Sequence, residues 1–582
     1  MTMPGPATGS VPAVLRERAI LQPNEPAFTF VDYDADPDGV AETLTWSQLY
    51  QRTCCVATEL RRIGAPGDRA AIVAPQSLDY IVGLLGAFEA GLIAVPLSVP
   101  HVKLHDERVN RILADSAPTV LLTTSAVAGG VAEYVREQEV PCNAKFLEVD
   151  ALDASGTKGF AGRSPQDGTA LLQYTSGSTR WPAGVMVSHH NLVANFEQAM
   201  TGYYGDTDGI APPDATVVSW LPFYHDMGLF IGVCAPILAD MHSVLTSPMA
   251  FLIRPALWMQ LMASQPQTFT PAPNFALELA VRKTSDDDMA GLDLGGVTHV
   301  VCGAERVHVA TVDRFTERFA RFNLRPEAIR PSYGLAEATV YVAARAPGKP
   351  PHVVHFESDK LSAGHAEPLC DSTGTALVSY GVPLSPTVRI VDPDSRTEQP
   401  AGAVGEIWLR GDNVARGYWG RPDATAETFA GHLVEPSDGT PAGPWLRTGD
   451  LGVISDGELF IVGRIKDLLI INGRNHYPDD LEATVQEITG GRVAAISVPG
   501  AVNEQVALVV EYKVRGSSDD EIASRVDGVK SDVNGAVAIS HGIRAVDLVL
   551  VAPGSIPITT SGKIRRQACA QLYCEDRLTR VG

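Results

Sequence analysis

Residues 170–185 read ALLQYTSGSTRWPAGV, a short apolar run that leads into a loop of small and hydroxyl side chains. The apolar run, 170–172, is typical of a buried strand. The loop offers consecutive backbone N–H groups with little side-chain bulk, an arrangement that binds phosphate oxygens. The residues of this candidate polyphosphate site are Thr175, Ser176, Gly177, Ser178 and Thr179. The stretch favours an α/β protein with a phosphate-binding loop; the alternative is a Ser/Thr-rich surface turn.

The loop has neither the GxxxxGK[ST] spacing of a Walker A motif nor the GxGxxG of a Rossmann fold. A phosphotransferase built on it would lack the Walker lysine, and the sequence offers no obvious second metal carboxylate. We therefore disfavour a phosphotransferase and look for a different chemistry at this loop.

Short apolar runs recur outward from the loop, at 69–74, 119–123, 216–220 and 297–302. Such runs, bounded by Gly, Pro and Asp, are typical of strands buried on both faces of a parallel sheet. From about residue 389 the pattern changes to alternating strands and turns. The predicted fold class is α/β, with a large layered N-terminal domain that carries a β-rich subdomain.

A domain boundary is predicted at the charged stretch Gly463 to Asp467, which separates two apolar runs. Beyond it, strand patterns at 493–500, 505–514 and 545–554 and two acidic helical stretches predict a small α+β domain. The predicted division is an N-terminal domain at 1–465, a hinge at 466–467 and a mobile lid at 468–582.

The composition excludes several classes of protein. The 582 residues are 45% hydrophobic and 20% charged, which excludes collagen, coiled coils and low-complexity scaffolds. With 46 basic and 68 acidic residues the net charge is −22, which argues against nucleic-acid binding. The apolar segment 80–97 is interrupted by Glu89, Gly91 and Pro96, so it predicts a buried helix running into a strand and no transmembrane segment.

Eight cysteines without a CxxC pair predict buried thiols in a reducing compartment. The first residues show no basic start followed by an apolar run, so no secretory signal is expected. The predicted location is the cytoplasm.

Five further segments carry side chains suited to chemistry. In WLPFYHDMGL, at 220–229, His225 stands among aromatic and apolar residues that suit the mouth of a ligand pocket, although a lone histidine is more often structural. The small residues of 302–305 leave room for a flat ring. SYGLAEAT, at 332–339, adds an aromatic face at Tyr333 and a carboxylate at Glu337 that suits Mg²⁺ bound to phosphates.

Of the last two segments, one lies just before the predicted boundary and the other within the predicted lid. Asp450, in RTGD, is an acceptor-only group that could bind the two hydroxyls of a ribose, and Arg464 follows at the domain boundary. Lys563 lies in the turn SGK, where the preceding glycine leaves the lysine side chain room to extend. A mobile lid could therefore bring its charge to a phosphoryl oxygen. Each segment alone also fits a structural turn.

Together and in this order, these segments resemble the superfamily of acyl-CoA synthetases, peptide-synthetase adenylation domains and firefly-type luciferases. The resemblance covers nearly the whole chain. It implies that ATP, with Mg²⁺, and a carboxylate react to give acyl-AMP and pyrophosphate.

By motif position the resemblance also implies roles. Thr175 to Gly184 would form the phosphate loop, Glu337 would bind Mg²⁺, and the catalytic residues would be Lys563, His225 and Glu337. The other nucleotide contacts would be Gly303, Ala304, Glu305, Ser332, Tyr333, Gly334, Asp450 and Arg464, with the hinge at Lys466-Asp467.

Departures from the common pattern narrow the family. Many members have Gly and Lys where this chain has Arg180 and Ala183, and Thr where it has Ala336. QYTSGSTR, WLPFYHDMGL, SYGLAEAT and a Pro/Gly-rich insertion at 345–381 resemble the fatty acyl-AMP ligases. That branch implies a fatty acid substrate and acyl transfer to the phosphopantetheine thiol of an acyl carrier protein or a polyketide synthase carrier domain.

Two alternatives remain at this point. One is an acyl-CoA synthetase that ends with a coenzyme A thioester; the other is a non-catalytic adenylate-binding scaffold. The basic tail from Lys563 onward, with five basic and two acidic residues, is a candidate docking surface for an acidic carrier, or an ordinary solvated helix end.

Overall fold

The computed structural model describes residues 9–100, 107–138, 143–155, 168–175, 182–471, 474–499, 504–513, 519–559 and 562–581. The helices are α1 (Val11–Leu21), α2 (Trp46–Ile63), α3 (Leu78–Ala90), α4 (Glu107–Ser116), α5 (Ser125–Glu137), α6 (His189–Tyr203), α7 (Asp226–Leu229), α8 (Ala235–Ala239), α9 (Pro248–Ile253), α10 (Ala256–Ala263), α11 (Asn274–Lys283), α12 (Val309–Ala320), α13 (Ser358–Ser362), α14 (Pro422–Phe429), α15 (Pro478–Thr489), α16 (Asp519–His541) and α17 (Arg566–Cys574).

The strands are β1 (Pro26–Asp32), β2 (Val40–Thr45), β3 (Arg69–Val73), β4 (Ile93–Leu97), β5 (Val120–Thr123), β6 (Lys145–Glu148), β7 (Thr169–Tyr174), β8 (Gly184–Ser188), β9 (Ala215–Ser219), β10 (His242–Leu245), β11 (Gln267–Pro273), β12 (Val297–Gly303), β13 (Ile329–Gly334), β14 (Tyr341–Ala344), β15 (Val353–Phe356), β16 (Thr375–Val378), β17 (Thr387–Val391), β18 (Gly405–Arg410), β19 (Leu446–Ser455), β20 (Glu458–Arg464), β21 (Leu469–Ile471), β22 (Arg474–His476), β23 (Val493–Pro499), β24 (Glu504–Glu511) and β25 (Asp547–Val551).

A six-stranded sheet carries the candidate phosphate loop. Its order is β6-β5-β3-β4-β7-β8, parallel except for the last pair. The predicted strand at 170–172 is confirmed as part of β7. Because β7 ends at Tyr174 and β8 begins at Gly184, the loop joins two neighbouring strands.

An eight-stranded sheet, β14-β13-β12-β11-β9-β10-β1-β2, forms the second layer. Its strands β9, β11, β12 and β13 are parallel, so their carboxyl ends share one edge. The helix α3 contacts β3 and β4 of the first sheet and β1 of the second. It is buried along nearly its whole length, so the layered α/β fold and the buried helix of segment 80–97 are confirmed.

The β-rich region is a four-stranded antiparallel sheet, β17-β18-β19-β20. The predicted insertion at 345–381 forms structure of its own, the antiparallel pair β15–β16 with α13 between the strands. Phe356 and Leu377 of this pair pack in one apolar cluster with Phe460 of β20 and Tyr477 beyond the predicted hinge. The insertion is therefore anchored on the β-rich sheet.

The C-terminal part has a three-stranded sheet, β23-β24-β25, with apolar clusters of its own. A 3₁₀ turn, Ile465–Asp467, connects it to β20 and includes the predicted hinge. The third helix, α17, was not predicted, because its sequence, RQACAQLYC, lacks the acidic residues by which the other two were recognised.

The prediction that the cysteines are buried thiols is wrong for Cys370 and Cys574, which are exposed, and Cys55 is half-buried. The other described cysteines, Cys54, Cys234, Cys302 and Cys569, are buried, and all seven described are free thiols. Among the described helices, none has the length and apolar content that crossing a bilayer requires.

Candidate active site

One cavity of 1380 Å³ lies between the body of the protein and its C-terminal part. The sequence-predicted residues that line it are Thr175, His225, Gly303, Ala304, Glu305, Ser332, Tyr333, Gly334, Glu337, Asp450, Arg464 and Lys563. Ser176, Gly177, Ser178 and Thr179 lie outside the described residues. The structure thus brings segments that are hundreds of residues apart in sequence to one cavity.

Lys563 enters this cavity on a tight turn. The backbone N–H of Thr559 donates to the carbonyl of Lys563 at 2.7 Å, and the N–H of Lys563 donates to Oγ1 of Thr559 at 3.0 Å. Gly562 has φ +84°, which disfavours any other residue, and its Cα faces the ring of Phe275 in α11. The turn that carries the lysine is therefore packed directly against the body.

Ion pairs fix the base of this turn. Arg566, three residues after Lys563, contacts Asp467 at 2.9 Å, Asp479 at 2.8 Å and Glu482 at 2.7 Å. Burial raises the pKa of Glu482 to about 7, against the opposing effect of Arg566. The arginine thus ties the predicted hinge, α15 and the lysine turn into one unit.

A further ion pair crosses from the C-terminal part to the body. Arg306 lies 2.7 Å from Asp480 of α15, and both side chains are largely buried. Because one partner belongs to each side of the cavity, this contact holds the C-terminal part in the orientation that delivers Lys563.

Opposing charges surround the Lys563 ammonium. Burial and the nearby Arg464 lower its pKa, while Asp226, Glu305 and Asp450 act to raise it. A buried lysine faced by carboxylates keeps a positive charge directed into the cavity.

Asp450 and Arg464 are partners across the antiparallel pair β19–β20. Arg464 Nε lies 2.6 Å from Asp450 Oδ1, and the hydroxyl of Tyr333 donates to Oδ2 at 2.7 Å. Asp450 raises the pKa of Arg464, so the guanidinium stays charged. Both carboxylate oxygens are held in place, and each retains a lone pair that can accept a bond from a ligand hydroxyl.

Glu337 lies in a 3₁₀ turn, Ala336–Ala338, after β13. Its Oε1 accepts a hydrogen bond from the hydroxyl of Tyr418 at 2.8 Å, and burial raises its pKa. A buried carboxylate is stabilised by a cation, and Mg²⁺ needs only one or two protein carboxylates when phosphates complete its coordination. Glu337 is one such carboxylate, so it fits a cation whose other ligands are phosphates and water. No cluster of three potential metal ligands occurs in the described ranges.

His225 precedes α7 and lies beside the first residue of that helix. Its Nδ1 is 2.6 Å from Asp226 Oδ1. Burial acts to raise the pKa of Asp226, but His225 and Lys563 outweigh it, so the pKa is lowered. The carboxylate therefore orients the imidazole and faces the lysine, and Asp226 is a cavity residue that sequence reasoning noticed only as a neighbour.

The small residues of the predicted adenine site are required by the backbone. A Cβ at Gly303 would lie 2.7 Å from the carbonyl oxygen of Ser332, and one at Gly334 would lie 1.7 Å from that of Val340. On that side of each glycine a neighbouring carbonyl occupies the space, so backbone packing itself requires the absence of a side chain. That the small residues of 302–305 contact a flat ring stays a prediction. Ala304 has φ +67°, a strained conformation for a residue with a Cβ.

Glu305 also has a structural role in this region. Its Oε1 accepts a hydrogen bond from the N–H of Phe275, at the beginning of α11, at 2.7 Å. Burial raises the pKa of Glu305. Its side chain caps a helix while its negative charge faces Lys563.

Tyr418, Arg421 and Arg108 are among the cavity residues that sequence reasoning missed. Their partners are distant in sequence or belong to no recognised motif. Tyr418, for example, contacts a residue 81 positions earlier. A pairing with β8 places its segment there, since Val185 and Tyr418 form an antiparallel bridge.

A small apolar cavity of 40 Å³ adjoins the large one. Tyr203, Ile231, Val340 and Tyr341 line both cavities. Its other walls include Phe230 and Ile231 of a π-helix, Phe230–Cys234, and Ala235 and Ala239 of α8. A π-helix commonly marks a functional site, and here it contributes apolar side chains to the wall of a small pocket.

The comparisons with known proteins agree with this geometry. The model of the AMP-binding enzyme family matches residues 15–419. A protein of Mycobacterium marinum named long-chain-fatty-acid–AMP ligase FadD26 is 58% identical over 575 residues, which is 98% of each chain. A Mycobacterium tuberculosis protein named putative fatty-acid–CoA ligase FadD21 is also 58% identical, over 98% of this chain and 99% of its own.

A solved structure has a similar fold over nearly the whole chain. The fatty acyl-adenylate ligase of Legionella pneumophila, determined in complex with acyl adenylate and pyrophosphate, is 32% identical. The alignment covers 97% of this chain and 96% of that one, with a TM-score of 0.74. The chain therefore belongs to the AMP-binding enzyme family, and its resemblance to the fatty acyl-AMP ligases is confirmed.

Proposed function

We propose that the protein joins a long-chain fatty acid to AMP, using ATP and Mg²⁺ and releasing pyrophosphate. The observation that carries this proposal is that Lys563, Asp450 and Glu337 line one cavity that adjoins a wholly apolar pocket. A reaction that combines a nucleotide with a hydrocarbon acid requires these two neighbouring environments. The names of the relatives support the same reaction.

In the proposed reaction a carboxylate oxygen of the acid attacks the α-phosphorus of ATP. The bond from that phosphorus to the bridging oxygen breaks, and pyrophosphate leaves. Lys563 stabilises the negative charge that grows on the α-phosphate oxygens, and Asp450 holds the ribose. Glu337 would hold Mg²⁺, which neutralises charge on the leaving pyrophosphate when bound. His225, oriented by Asp226, positions the carboxylate.

The experiment that tests this proposal is a pyrophosphate-release assay with ATP, Mg²⁺ and saturated acids from octanoic to tetracosanoic. Mass spectrometry of the products should detect acyl-AMP. Release of pyrophosphate that does not depend on added acid would contradict the proposed activity. No release with any acid would also contradict it and would favour a non-catalytic adenylate-binding scaffold.

For the second step we propose transfer of the acyl group to the phosphopantetheine thiol of a carrier protein or polyketide synthase domain. The motifs of the fatty acyl-AMP ligases support this acceptor, and the name of FadD21 keeps coenzyme A as a second candidate. Adding coenzyme A or a phosphopantetheinylated carrier to preformed acyl-AMP separates them. Free thiols and use of ATP support a location in the cytoplasm.

The basic tail gives weaker support for carrier docking than its sequence indicated. Arg580 lies 2.6 Å from Asp547, and Arg577 lies 3.0 Å from Glu575. Arg566 is occupied by the three carboxylates near the hinge. Most of the tail's positive charge is thus paired within the protein.

Replacing Ala239 with phenylalanine is expected to shorten the acids that the protein accepts. Ala239 ends α8 and lines the apolar cavity, so a larger side chain fills it. Each methylene of the acyl chain that can no longer enter the pocket should lower kcat/KM for that acid about fourfold. Rates with octanoic acid serve as the internal control, and an equal loss for short and long acids would contradict the assignment of the pocket.

The rate of acyl-AMP formation is expected to fall at alkaline pH. Burial and Arg464 lower the pKa of Lys563 from its ordinary 10.5, so its charge is present below that lowered pKa and is lost as the pH rises through it. A pH profile of kcat should therefore show an alkaline limb below pH 10.5. In Lys563→Arg the charge persists, so this limb should move to higher pH. An identical limb in both proteins would exclude Lys563 as its origin.

A further inference from the structure

Two arginines outside every recognised motif hold the ends of the phosphate loop. Arg108, in α4, donates from Nη2 to the carbonyl of Tyr174, the last residue of β7, at 3.2 Å. Arg421 donates from Nη2 to the carbonyl of Pro182, at the other end of the loop, at 3.1 Å. Both side chains line the large cavity. Two cations therefore flank the place where a polyphosphate would bind.

A second set of contacts fixes the direction of Arg421. Its Nη2 lies 3.1 Å from Asp115 Oδ1, and Asp115 Oδ2 accepts a hydrogen bond from the hydroxyl of Tyr174 at 2.7 Å. Nε of Arg421 is buried and has no hydrogen-bond partner in the part of the chain that the structure describes. A buried donor without a partner costs free energy, which a ligand oxygen would offset.

The same segment links Arg421 to the candidate metal site. The N–H of Arg421 donates to the carbonyl of Tyr418 at 3.2 Å, which closes a turn. The Cα atoms of the two residues are then within about 7 Å. The hydroxyl of Tyr418 donates to Glu337, and both Glu337 and Arg421 line the large cavity. Arg421 therefore lies one turn from the residue that orients the candidate metal ligand.

We infer that Arg421 and Arg108 bind the β- and γ-phosphates of ATP and hold pyrophosphate as it leaves. This inference deepens the proposed function and rests on it. A guanidinium is planar and presents paired N–H donors that match phosphate oxygens, and it stays charged at every physiological pH. Asp115 acts through Arg421 and is a positioning residue.

The test replaces Arg421 with glutamine. Loss of a charge-assisted hydrogen bond is expected to raise the KM for ATP and the inhibition constant of pyrophosphate by about 10- to 100-fold. The KM for the fatty acid should stay unchanged. Arg421→Lys, which keeps the charge but not the planar fork, should recover part of the loss, and Arg108→Gln should act in the same direction as Arg421→Gln.

Arg416→Gln is the matched control. Arg416 is exposed and belongs to the same segment, where its N–H donates to the carbonyl of Met186 at 3.2 Å. Among the described residues, those that line the large cavity do not include Arg416. Its replacement is expected to leave both ATP and pyrophosphate binding at the level of the unmodified protein.

A thermal-shift measurement with Mg²⁺ and pyrophosphate tests binding apart from turnover. Pyrophosphate with Mg²⁺ should raise the melting temperatures of the unmodified protein and of Arg416→Gln. It should raise the melting temperature of Arg421→Gln much less. An unchanged shift and an unchanged KM for ATP in Arg421→Gln would overturn the inference. Equal losses for both substrates with a lower melting temperature before ligand is added would also overturn it, because they would show a purely structural role.

The two proposals fail in different ways. If the unmodified protein forms no acyl-AMP with any acid, the proposed function is refuted. The pyrophosphate thermal shift of the three proteins still decides whether the arginines bind phosphate.

Discussion

Replacing Lys563 with alanine is expected to lower the rate of acyl-AMP formation by about 10²- to 10³-fold, the loss typical of removing one preorganised charge from a developing oxyanion. Lys563 lies in the cavity with Asp226, Glu305 and Asp450, and it is directed there by a turn packed on Phe275. The side chain makes its contribution mainly in the transition state, so kcat should fall more than the KM for ATP rises. Steady-state pyrophosphate release measures both constants.

Lys530→Ala is the control for this variant. Lys530 belongs to α16 of the same C-terminal part, and it is not one of the described residues that line the large cavity. Its removal should leave the rate unchanged. A Lys563→Ala protein that forms acyl-AMP at the unmodified rate would exclude this lysine from the chemistry.

Replacing Glu337 with glutamine is expected to lower kcat by about 10²-fold or more. A metal ion that neutralises phosphate charge contributes several kcal/mol to stabilising the transition state, and this variant should bind that ion poorly. Glutamine preserves the size of the side chain and its bond to Tyr418 but removes the negative charge that a divalent cation requires. The Mg²⁺ concentration that gives half-maximal rate should rise sharply, and titration with Mg²⁺ measures it.

Tyr418→Phe supplies the graded comparison. It keeps the carboxylate of Glu337 and removes only the hydroxyl that orients it, so the Mg²⁺ requirement should rise less, by about tenfold. If Glu337→Gln and the unmodified protein respond to Mg²⁺ identically, Glu337 does not bind the metal.

The sequence predicted best those features that local patterns determine. The strand before the phosphate loop and the helix at 78–90 follow from runs of apolar residues bounded by turn residues, and both are confirmed. The turn at Lys563 was also recognisable, because Ser and Gly favour a bend in the chain. These features need no knowledge of tertiary contacts.

Other parts of the site depend on pairings that no local pattern contains. Arg421 meets Pro182 across 239 positions, and Tyr333 meets Asp450 across 117. Gly303 and Gly334 were singled out by their motifs, but no local pattern identifies the carbonyls of Ser332 and Val340 that pack against them. Periodicity likewise could not locate the apolar pocket, because its walls come from α6, the π-helix, α8 and three strands.

Structure inside the insertion at 345–381 was missed for a related reason. Its Pro and Gly content indicates loops, yet β15 and β16 pair over four residues each and bury Phe356 and Leu377 against the β-rich sheet. Tertiary packing stabilises these short strands, whose local propensity is weak.

The most direct test of the central claim is fatty-acid-dependent exchange of labelled pyrophosphate into ATP. If the cavity brings Lys563 to an ATP whose α-phosphorus is attacked by a fatty acid, the label should enter ATP only when a long-chain acid is present. The exchange should be strongly reduced in Lys563→Ala. Exchange that needs no acid, or that is undiminished in Lys563→Ala, would contradict the account.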